Sequence, residues 1–249
     1  MRGTKKRQAT RVAAPARQRL KSTQRRGDER RERLLRAAHT LLERKRVSDL
    51  TYAAVCAEAR VPTGSARFFY PDLDSMLHAL LRDLGEKHDA ALMRPLRPSD
   101  VATWRTLVDC LIERSARFQR ANRVFADLSI GGMTTPDLKH MDREADRPRA
   151  MYVLAALEEH FALPRVPDRE RVAYLLVEIV DLVFMLSMRE AGAITPVWLE
   201  HAKVAAGALF SQHFGDPEAR PSFPTPTTGE NGPSRTPAAP DTGTDGEAV

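Results

Sequence analysis

The chain has 249 residues, of which 42% are hydrophobic and 29% are charged, as is ordinary for a globular protein with ample core. Only two cysteines, Cys56 and Cys110, are present, and this number excludes a scaffold held together by disulfide bonds. The formal net charge of +6 is concentrated at one end, since residues 1–27 hold ten Lys or Arg and no acid, whereas residues 28–215 hold 27 bases and 27 acids.

Both ends of the chain have compositions typical of disordered segments. Residues 1–27 are basic, poor in apolar side chains and interrupted by Gly and Pro. Residues 216–249 carry two Arg against six acids and are rich in Pro, Thr, Gly and Ser, so they cannot bury a core. We therefore expect a flexible basic arm and a flexible acidic tail around a folded body.

The first part of the body predicts four helices. Asp28 can cap a first helix, whose apolar stripe consists of Leu34, Leu35, Ala38, Leu41 and Leu42. Thr51 opens a short second helix, and Pro62 suits the first turn of a third, where no N–H partner is needed. A fourth helix begins near Asp72 and is broken after its leucine-rich face by two prolines, Pro95 and Pro98.

The second part also has helical periodicity throughout. Its first predicted helix is amphipathic and contains Trp104, Leu107, Val108, Leu111 and Phe118. Four more helices are predicted at residues 122–130, 136–161, 169–191 and 197–214, and Pro148 should break or kink the second of these four. No segment alternates as a strand does, and no internal repeat is visible. The sequence predicts an all-α fold.

Residues 51–70 predict two short helices joined by a tight turn, between two longer amphipathic helices. This layout builds a helix-turn-helix whose second helix can enter a DNA major groove. A helical hairpin without a role in DNA binding is the alternative. The predicted DNA-binding residues of the motif are Thr51, Tyr52, Thr63, Gly64, Ser65, Arg67 and Phe68.

Residues from about 30 to 81 resemble the N-terminal domain of TetR-type (TetR/AcrR) transcriptional repressors. The match consists of Leu41, Leu42, Thr51, Val55, Ala59, Val61, Gly64, Ser65, Met76 and Leu77, with aromatic residues at Phe68, Phe69 and Tyr70. The resemblance implies a three-helix helix-turn-helix domain followed by a C-terminal helical domain, which dimerises through its last two helices and holds a ligand pocket among the others.

Three positions depart from the family pattern. Arg60 replaces the turn glycine and should cost about 1 kcal/mol if that position keeps a left-handed backbone. Arg67 stands where a phosphate-binding Tyr is usual, and its guanidinium can bind the same phosphate or read guanine. Leu73 replaces a usual Lys and removes one phosphate contact.

Few donors remain in the motif, and the basic arm can compensate for them. Basic arms track phosphates or enter the minor groove, which adds salt-sensitive affinity independent of base sequence. Arg25, Arg26 and Arg30 lie nearest to the first helix and are predicted to bind DNA. The alternative is an arm that only keeps the protein in solution.

The second domain shows no motif of its own, so only its apolar patterns predict a role. Residues 169–191 are apolar almost all round, and residues 202–207 present a small-residue face, which together favour a four-helix dimer interface with residues 196–213. Burial within one subunit is the alternative. The predicted ligand-binding residues are Trp104, Phe118, Phe125, Tyr152, Tyr174, Glu178, Asp181 and Met185, and Met133 and Phe184 are further side chains from which a pocket could be built. For each of the apolar ones, plain core is the favoured alternative.

Two acids, Glu178 and Asp181, lie one turn apart in this apolar helix. Buried acids are costly unless they are paired, so we expect a structural network with His201, Lys203 or Arg189. Alternatively, the two acids line the pocket and select a cationic ligand.

Other function classes lack their signatures. The most apolar run, residues 177–188, is too short to span a bilayer, and no secretory segment follows the basic start, although an Arg-rich start also resembles a transit peptide. No metal-ligand spacing, catalytic triad or phosphate loop is present. We expect a cytoplasmic protein with no cofactor, metal, membrane partner or enzymatic activity.

The predicted function is a ligand-responsive transcriptional regulator, a repressor that binds a pseudo-palindromic double-stranded operator as a homodimer and is released by a small-molecule effector. The alternative is a helical protein–protein adaptor without sequence-specific DNA binding. The predicted organisation is a disordered basic arm at 1–27, a helix-turn-helix DNA-binding domain at 28–80, an effector-binding and dimerisation domain at 81–215, and a disordered tail at 216–249.

Overall fold

The computed structural model describes residues 13–131 and 136–220 and confirms the all-α fold. In these two ranges, the β-type pairing consists of a single antiparallel bridge between Phe161 and Ala219. The helices are α1 (Ala13–Leu42), α2 (Tyr52–Glu58), α3 (Thr63–Arg67), α4 (Leu73–Leu92), α5 (Trp104–Ala121), α6 (Arg123–Ser129), α7 (Pro136–His160), α8 (Arg169–Ala191) and α9 (Pro196–Phe214).

The predicted start of the first helix at Asp28 is wrong, because α1 begins at Ala13 and Asp28 lies inside it. Ion pairs one turn apart favour helix through this stretch, namely Arg25 with Glu29 at 3.1 Å and Arg31 with Asp28 at 3.8 Å. Residues 13–27 are therefore helical rather than disordered, while residues 1–12 of the predicted arm lie outside the described residues.

The predicted cap of the second helix is confirmed. Oγ1 of Thr51 accepts a hydrogen bond from the backbone N–H of Ala54 at 3.2 Å, which satisfies one of the free donors at the start of α2. The hydroxyl of Tyr52 donates to the carbonyl oxygen of Tyr70 at 2.6 Å. This bond fixes α2 against the segment that follows α3.

The turn between α2 and α3 depends on one left-handed residue and one buried residue. Arg60 has a φ of 53°, so this position keeps the left-handed backbone on which the expected cost depends, although it holds no glycine. Val61 is only 4% exposed and anchors the turn in the core. Its backbone N–H donates to the carbonyl of Cys56 at 3.0 Å, which closes the end of α2.

Helix α4 begins where the sequence predicted. Asp72 accepts a hydrogen bond from the backbone N–H of Ser75 at 2.8 Å, and the Ser75 hydroxyl oxygen accepts from the N–H of Asp72, so the two residues form a capping box. The hydrogen bonds from Ser75 lower the pKa of the Asp72 carboxyl. The helix continues without interruption to Leu92.

Two hydrophobic cores share α4. The first joins α1 to α4 and also includes Val124, Phe125 and Leu128 from α6, whereas the second contains α5, α7, α8, α9 and the last turn of α4 at Leu92. The predicted division between residues 80 and 81 falls inside this one continuous helix.

The far end of α4 is held by Arg114 of α5. Its guanidinium donates to the carbonyls of Leu92 and Pro95, both at 3.0 Å, which satisfies acceptors that the end of the helix leaves free. Asp100, which is buried, accepts from Arg97 at 2.9 Å, and these hydrogen bonds lower the pKa of its carboxyl to about 2.

The last helices follow the sequence prediction closely. Gly192, with a φ of 70°, ends α8, and Thr195 caps α9. Between them, the hydroxyl of Ser187 donates to the carbonyl of Ala193 at 2.8 Å and accepts from the N–H of Thr195 at 3.0 Å. A fully buried hydroxyl thus fixes the corner between the two helices.

The predicted flexible tail does not begin at residue 216. The indole N–H of Trp104 donates to the carboxylate of Asp216, and the N–H of Ala162 donates to the carbonyl of Glu218 at 2.9 Å. Pairing of Ala219 with Phe161 extends this contact. Residues 221–249 lie outside the described residues.

Replacing Arg60 with glycine should stabilise the protein. Glycine adopts a positive φ without the Cβ penalty, so we expect the free energy of unfolding in Arg60→Gly to rise by about 1 kcal/mol, measured by urea denaturation. Glu58→Gly, on the same exposed surface but inside α2, is the matched control and should lower stability by a similar amount. A loss of stability in Arg60→Gly would contradict the strain argument.

Candidate DNA interface and ligand cavity

One face of α3 is open to solvent. Thr63, Gly64, Arg67 and Phe68 are exposed, and Phe68 is 87% exposed although it is a large apolar residue. Ala66 faces the opposite way and is fully buried, so it anchors the helix on the first core. The face that remains is short, polar at its start and aromatic at its end.

Gly64 leaves this face without side-chain bulk. A Cβ at this position would meet nothing within 4 Å, so no neighbour in the described structure requires a glycine there. Glycine inside a helix costs about 1 kcal/mol relative to alanine. Its presence suits a surface that another molecule approaches closely along the backbone.

Arg67 stands beside the predicted DNA-binding residue Tyr52. Its Cζ lies 6.0 Å from the centroid of the Tyr52 ring, within the range of a cation–π contact. Burial raises the pKa of the Tyr52 hydroxyl, whose proton is donated to the carbonyl of Tyr70. The ring of Tyr52 therefore positions Arg67, while the hydroxyl of Tyr52 holds α2 against the segment that follows α3.

Helix α1 brings basic residues to the same face. Arg30 lines a surface groove together with Ser65 and Phe68, so the structure joins these three predicted residues. Arg25 and Arg26 are exposed on α1 just before it, and Arg25 pairs with Glu29. These arginines are presented by a helix rather than by a flexible arm.

A cavity of about 70 Å³ lies between the two cores. Its walls come from α4 to α9 and are mostly apolar, consisting of His88, Leu92, Val108, Leu111, Ile112, Ser115, Gln119, Phe125, Ser129, Ile130, Arg149, Val153, Leu176, Val177, Val180, Asp181 and Ala206. The volume suffices for only a few water molecules, so a larger ligand must displace side chains when it binds.

The polar end of the cavity is a chain of three side chains. Nε2 of His88 lies 2.9 Å from Oγ of Ser115, and Nε2 of Gln119 lies 3.4 Å from the same Oγ. Burial lowers the pKa of His88, so its ring is neutral near neutral pH. The ring also packs against Phe125, with centroids 5.2 Å apart.

A buried ion network lies beside this chain. Arg149 of α7 donates to Asp89 of α4 and to Asp146, both at 2.6 Å. A Cβ on Gly85 would lie 3.4 Å from Nη2 of Arg149, so the glycine makes room for the guanidinium across α4. Burial raises the pKa of Asp146 and outweighs the neighbouring cation. The network ties α4 to α7 next to the cavity.

The outer surface of α8 and α9 carries exposed apolar residues. Leu175 and Leu182 of α8 are 44% and 50% exposed, and Val197 and Val204 of α9 are 65% and 69% exposed. The small-residue face expected to be presented outward is instead turned inward, since Ala202, Ala206 and Gly207 are buried against the second core. Their small size lets α9 approach its own body closely.

Comparison with known proteins adds to these observations. Residues 102–214 match the family model described as the tetracyclin repressor-like C-terminal domain. Over this range the chain is therefore similar to the C-terminal domain of tetracyclin repressor-like proteins. No curated protein matches it by sequence.

The solved structures share this fold at low identity. A TetR-family transcriptional regulator from Streptomyces coelicolor has a TM-score of 0.59 and 22% identity, covering 74% of this chain and 99% of that one. The multidrug binding protein EbrR in complex with imidazole has a TM-score of 0.56 and 24% identity, covering 73% and 89%. A transcriptional regulator from Rhodococcus sp. Rha1 has a TM-score of 0.52 and 22% identity, covering 74% and 97%.

These findings show that the chain has the fold of TetR-family transcriptional regulators. In the described part of the chain, none of the helices is long and apolar enough to cross a membrane. The TetR fold places the open face of α3 at one end of α4 and the cavity near the other.

Only some of the residues predicted for the TetR ligand pocket line the cavity. Phe125 and Asp181 do, whereas Glu178 and Met185 line a neighbouring cleft that Asp181 also borders, and Tyr174 lines a separate surface cleft. The remaining predicted residues, Trp104, Phe118 and Tyr152, border none of these three spaces. Trp104 stacks on Phe210, and Phe118 packs against Phe125. Tyr152 packs against the second core. Met133 lies outside the described residues.

The predicted partners of Glu178 are wrong. The Tyr174 hydroxyl donates to its carboxylate, which raises the pKa of Tyr174 to about 12, and Arg143 lies 3.9 Å away. Lys203, the expected partner, binds Glu113 at 2.8 Å instead. A residue one turn earlier on the same helix supplies the donor, so the acid needs no partner from α9.

Sequence reasoning missed the polar end of the cavity. His88 continues the apolar stripe of α4, at the helical spacing set by Leu77, Leu81 and Leu84, and was not distinguished from exposed histidines. A titratable residue at a core position of a helix was the available signal.

Removing the cation of the buried network should destabilise the protein strongly. Arg149→Met keeps the length of the side chain but leaves two carboxylates without their partner, so we expect the free energy of unfolding to fall by about 3–5 kcal/mol. Arg169→Met is the matched control, because it breaks an exposed pair with Glu158 and should cost at most about 1 kcal/mol. Equal losses in the two variants, measured by urea denaturation, would contradict a buried network.

Proposed function

We propose that this protein is a TetR-family repressor that binds a pseudo-palindromic operator as a homodimer and leaves the DNA when a small effector binds. The observation that carries the proposal is the open face of α3, where Gly64 and Arg67 are exposed and where Ser65 and Phe68 share a groove with Arg30 of α1. Because α4 follows that face and also walls the cavity, a ligand there can bias the position of α3.

The proposed DNA contacts follow from the chemistry of this surface. In the major groove, Gly64 allows close approach, Arg67 binds a phosphate or guanine, and Phe68 contacts a thymine methyl group. The remaining predicted contacts to the DNA backbone come from Thr51, Tyr52, Thr63, Ser65, Arg25, Arg26 and Arg30. The contacts from α1 supply the salt-sensitive part of the affinity.

The dimer is proposed to form through α8 and α9. Leu175, Leu182, Val197 and Val204 form an apolar surface that one subunit leaves exposed, and a second copy can cover it. A two-fold axis there would present two α3 helices to successive major grooves, roughly 34–36 Å apart.

The effector is proposed to bind in the cavity that Phe125 and Asp181 line, with the adjoining cleft at Glu178 and Met185 as its extension. A further EbrR structure, with ethidium, shows that this fold can hold an organic ligand. Release from DNA requires that the ligand bind the two states of the dimer with different affinities. We assign no enzymatic activity or cofactor and place the protein in the cytoplasm, where operator DNA is accessible.

Selection of bound DNA duplexes from a random pool tests three parts of the proposal together, namely that the protein binds DNA, that its site is an inverted repeat and that the half-sites have the spacing of a dimer. The full chain should enrich an inverted repeat whose half-sites lie about one helical turn apart. Enrichment of no common sequence would remove the repressor function and favour the alternative, a protein–protein adaptor.

Arg67 should be required for DNA binding and dispensable for the fold. We expect Arg67→Ala to weaken binding to the selected duplex by about tenfold or more, the equivalent of 1–3 kcal/mol for a bidentate or charged contact. Fluorescence anisotropy at several salt concentrations measures the affinity and its salt slope. Arg165→Ala, an exposed arginine between α7 and α8, carries the same charge change and should have little effect. Unchanged affinity in Arg67→Ala would remove this residue from the interface.

The apolar surface of α8 and α9 should be required for dimerisation. Leu182→Glu places a charge in the centre of the proposed interface, so we expect sedimentation to show monomers at concentrations where the parent protein is a dimer. Met93→Glu changes an equally exposed apolar residue at the end of α4 and should leave the dimer intact. A dimeric Leu182→Glu variant would place the interface elsewhere.

A further inference from the structure

The direction of the hydrogen bonds at the polar end of the cavity follows from the charge beside His88. Nδ1 of His88 lies 3.6 Å from Oδ1 of Asp89, which is too long for a good hydrogen bond but close enough for the carboxylate to decide which nitrogen holds the proton. A lone pair on Nδ1 would face that negative charge. The proton therefore sits on Nδ1, and Nε2 is an acceptor.

This assignment fixes the next two side chains. Since Nε2 of His88 accepts, the single hydroxyl proton of Ser115 is donated to it across 2.9 Å. The Ser115 oxygen can then only accept, and it accepts from the amide N–H of Gln119 at 3.4 Å. The amide nitrogen of Gln119 thus points to Ser115, and its carbonyl oxygen, Oε1, is left as the last acceptor of the chain.

Oε1 of Gln119 makes no hydrogen bond to any residue that the structure describes. Gln119 is only 3% exposed and lines the cavity, so bulk water does not solvate this oxygen. A buried acceptor without a donor destabilises the empty cavity, and a ligand with a suitable donor removes this cost when it binds.

The rest of the wall selects against charge. Most lining side chains are aliphatic or aromatic, and the cation among them, Arg149, already binds Asp89 and Asp146. A charged ligand would lose its hydration in these mostly apolar surroundings.

We propose that the effector is a small, largely apolar, neutral molecule that donates a hydrogen bond from a hydroxyl or amide N–H group to Oε1 of Gln119. This inference deepens the proposed function and rests on it, because it names the ligand class of the proposed effector site.

Calorimetry on the full chain with three aromatic probes of similar size tests the proposal. Phenol donates a hydrogen bond, benzaldehyde only accepts one, and toluene does neither. Phenol should bind more tightly than benzaldehyde to the parent protein. Preference for benzaldehyde would show the amide in the opposite orientation and overturn the proposal, as would the absence of phenol binding up to its solubility limit.

The variant Gln119→Leu removes the acceptor and keeps an apolar side chain of similar size. The ratio of the toluene to the phenol dissociation constant should fall by about tenfold, because the donor loses its partner. Ser129→Ala is the matched control, since its hydroxyl also lies at the cavity but is donated to the carbonyl of Phe125 at 2.9 Å, and its ratio should not change. An equal fall in both variants would overturn the role of Gln119. If Gln119→Leu does not fold, the ranking of the three probes on the parent protein decides alone.

Failure of this inference is separable from failure of the proposed function. Selection of an inverted repeat from random duplexes supports the repressor whatever the probes do. If phenol binds tightly but does not change the affinity for DNA, the proposed ligand class stands and the proposed release from DNA is wrong.

Discussion

The requirement to bury the apolar face of α4 against two cores at once is the constraint on which the rest of the structure depends. Residues from the first part of α4 complete the first core, and its last turn at Leu92 enters the second core. Both ends of the helix are fixed, by the capping box at Asp72 and by the guanidinium of Arg114 on the last carbonyls. A movement of either core therefore shifts α4 and, through it, the other core.

Polar interactions decide how α4 lies against the second domain. The pair of bonds from Arg149 to Asp89 and Asp146 contributes less to stability than apolar packing would, because desolvation of the charges offsets their attraction. It does select one alignment of α4 and α7, since any sliding would leave a buried charge unpaired. The chain through His88 reaches Gln119 from the same place, so the ion network and the proposed ligand contact share one side of α4.

Much of the fold was predictable because short-range chemistry determines it. Caps at Thr51 and Asp72, the glycine at 192 and the leucine periodicity all act within a few residues, and the helices begin and end where they indicate. The start of α1 was not predictable from the cap signal at Asp28, because a residue that can cap a helix can also lie inside one, as Asp28 does one turn before Arg31.

The candidate site was less predictable than the fold. The face of α3 could be located because the family pattern runs through contiguous residues, whereas the cavity is assembled from helices far apart in sequence. Bulky aromatic residues such as Trp104 are abundant in any core, and their type does not tell which of them border a void. The hydrogen bond from Trp104 to Asp216 likewise joins residues far apart in the chain.

The uninterrupted length of α4 has a mechanical consequence. Twenty residues at about 1.5 Å per residue make a rod of about 30 Å, with His88 near one end and the segment after α3 at the other. A tilt of about 6° about the cavity end would carry the opposite end about 3 Å sideways, on the order of a whole hydrogen-bond length. Phosphate contacts would not survive such a displacement. In the proposed release mechanism, a small ligand would therefore need to rearrange only a few side chains to misalign the pair of α3 helices.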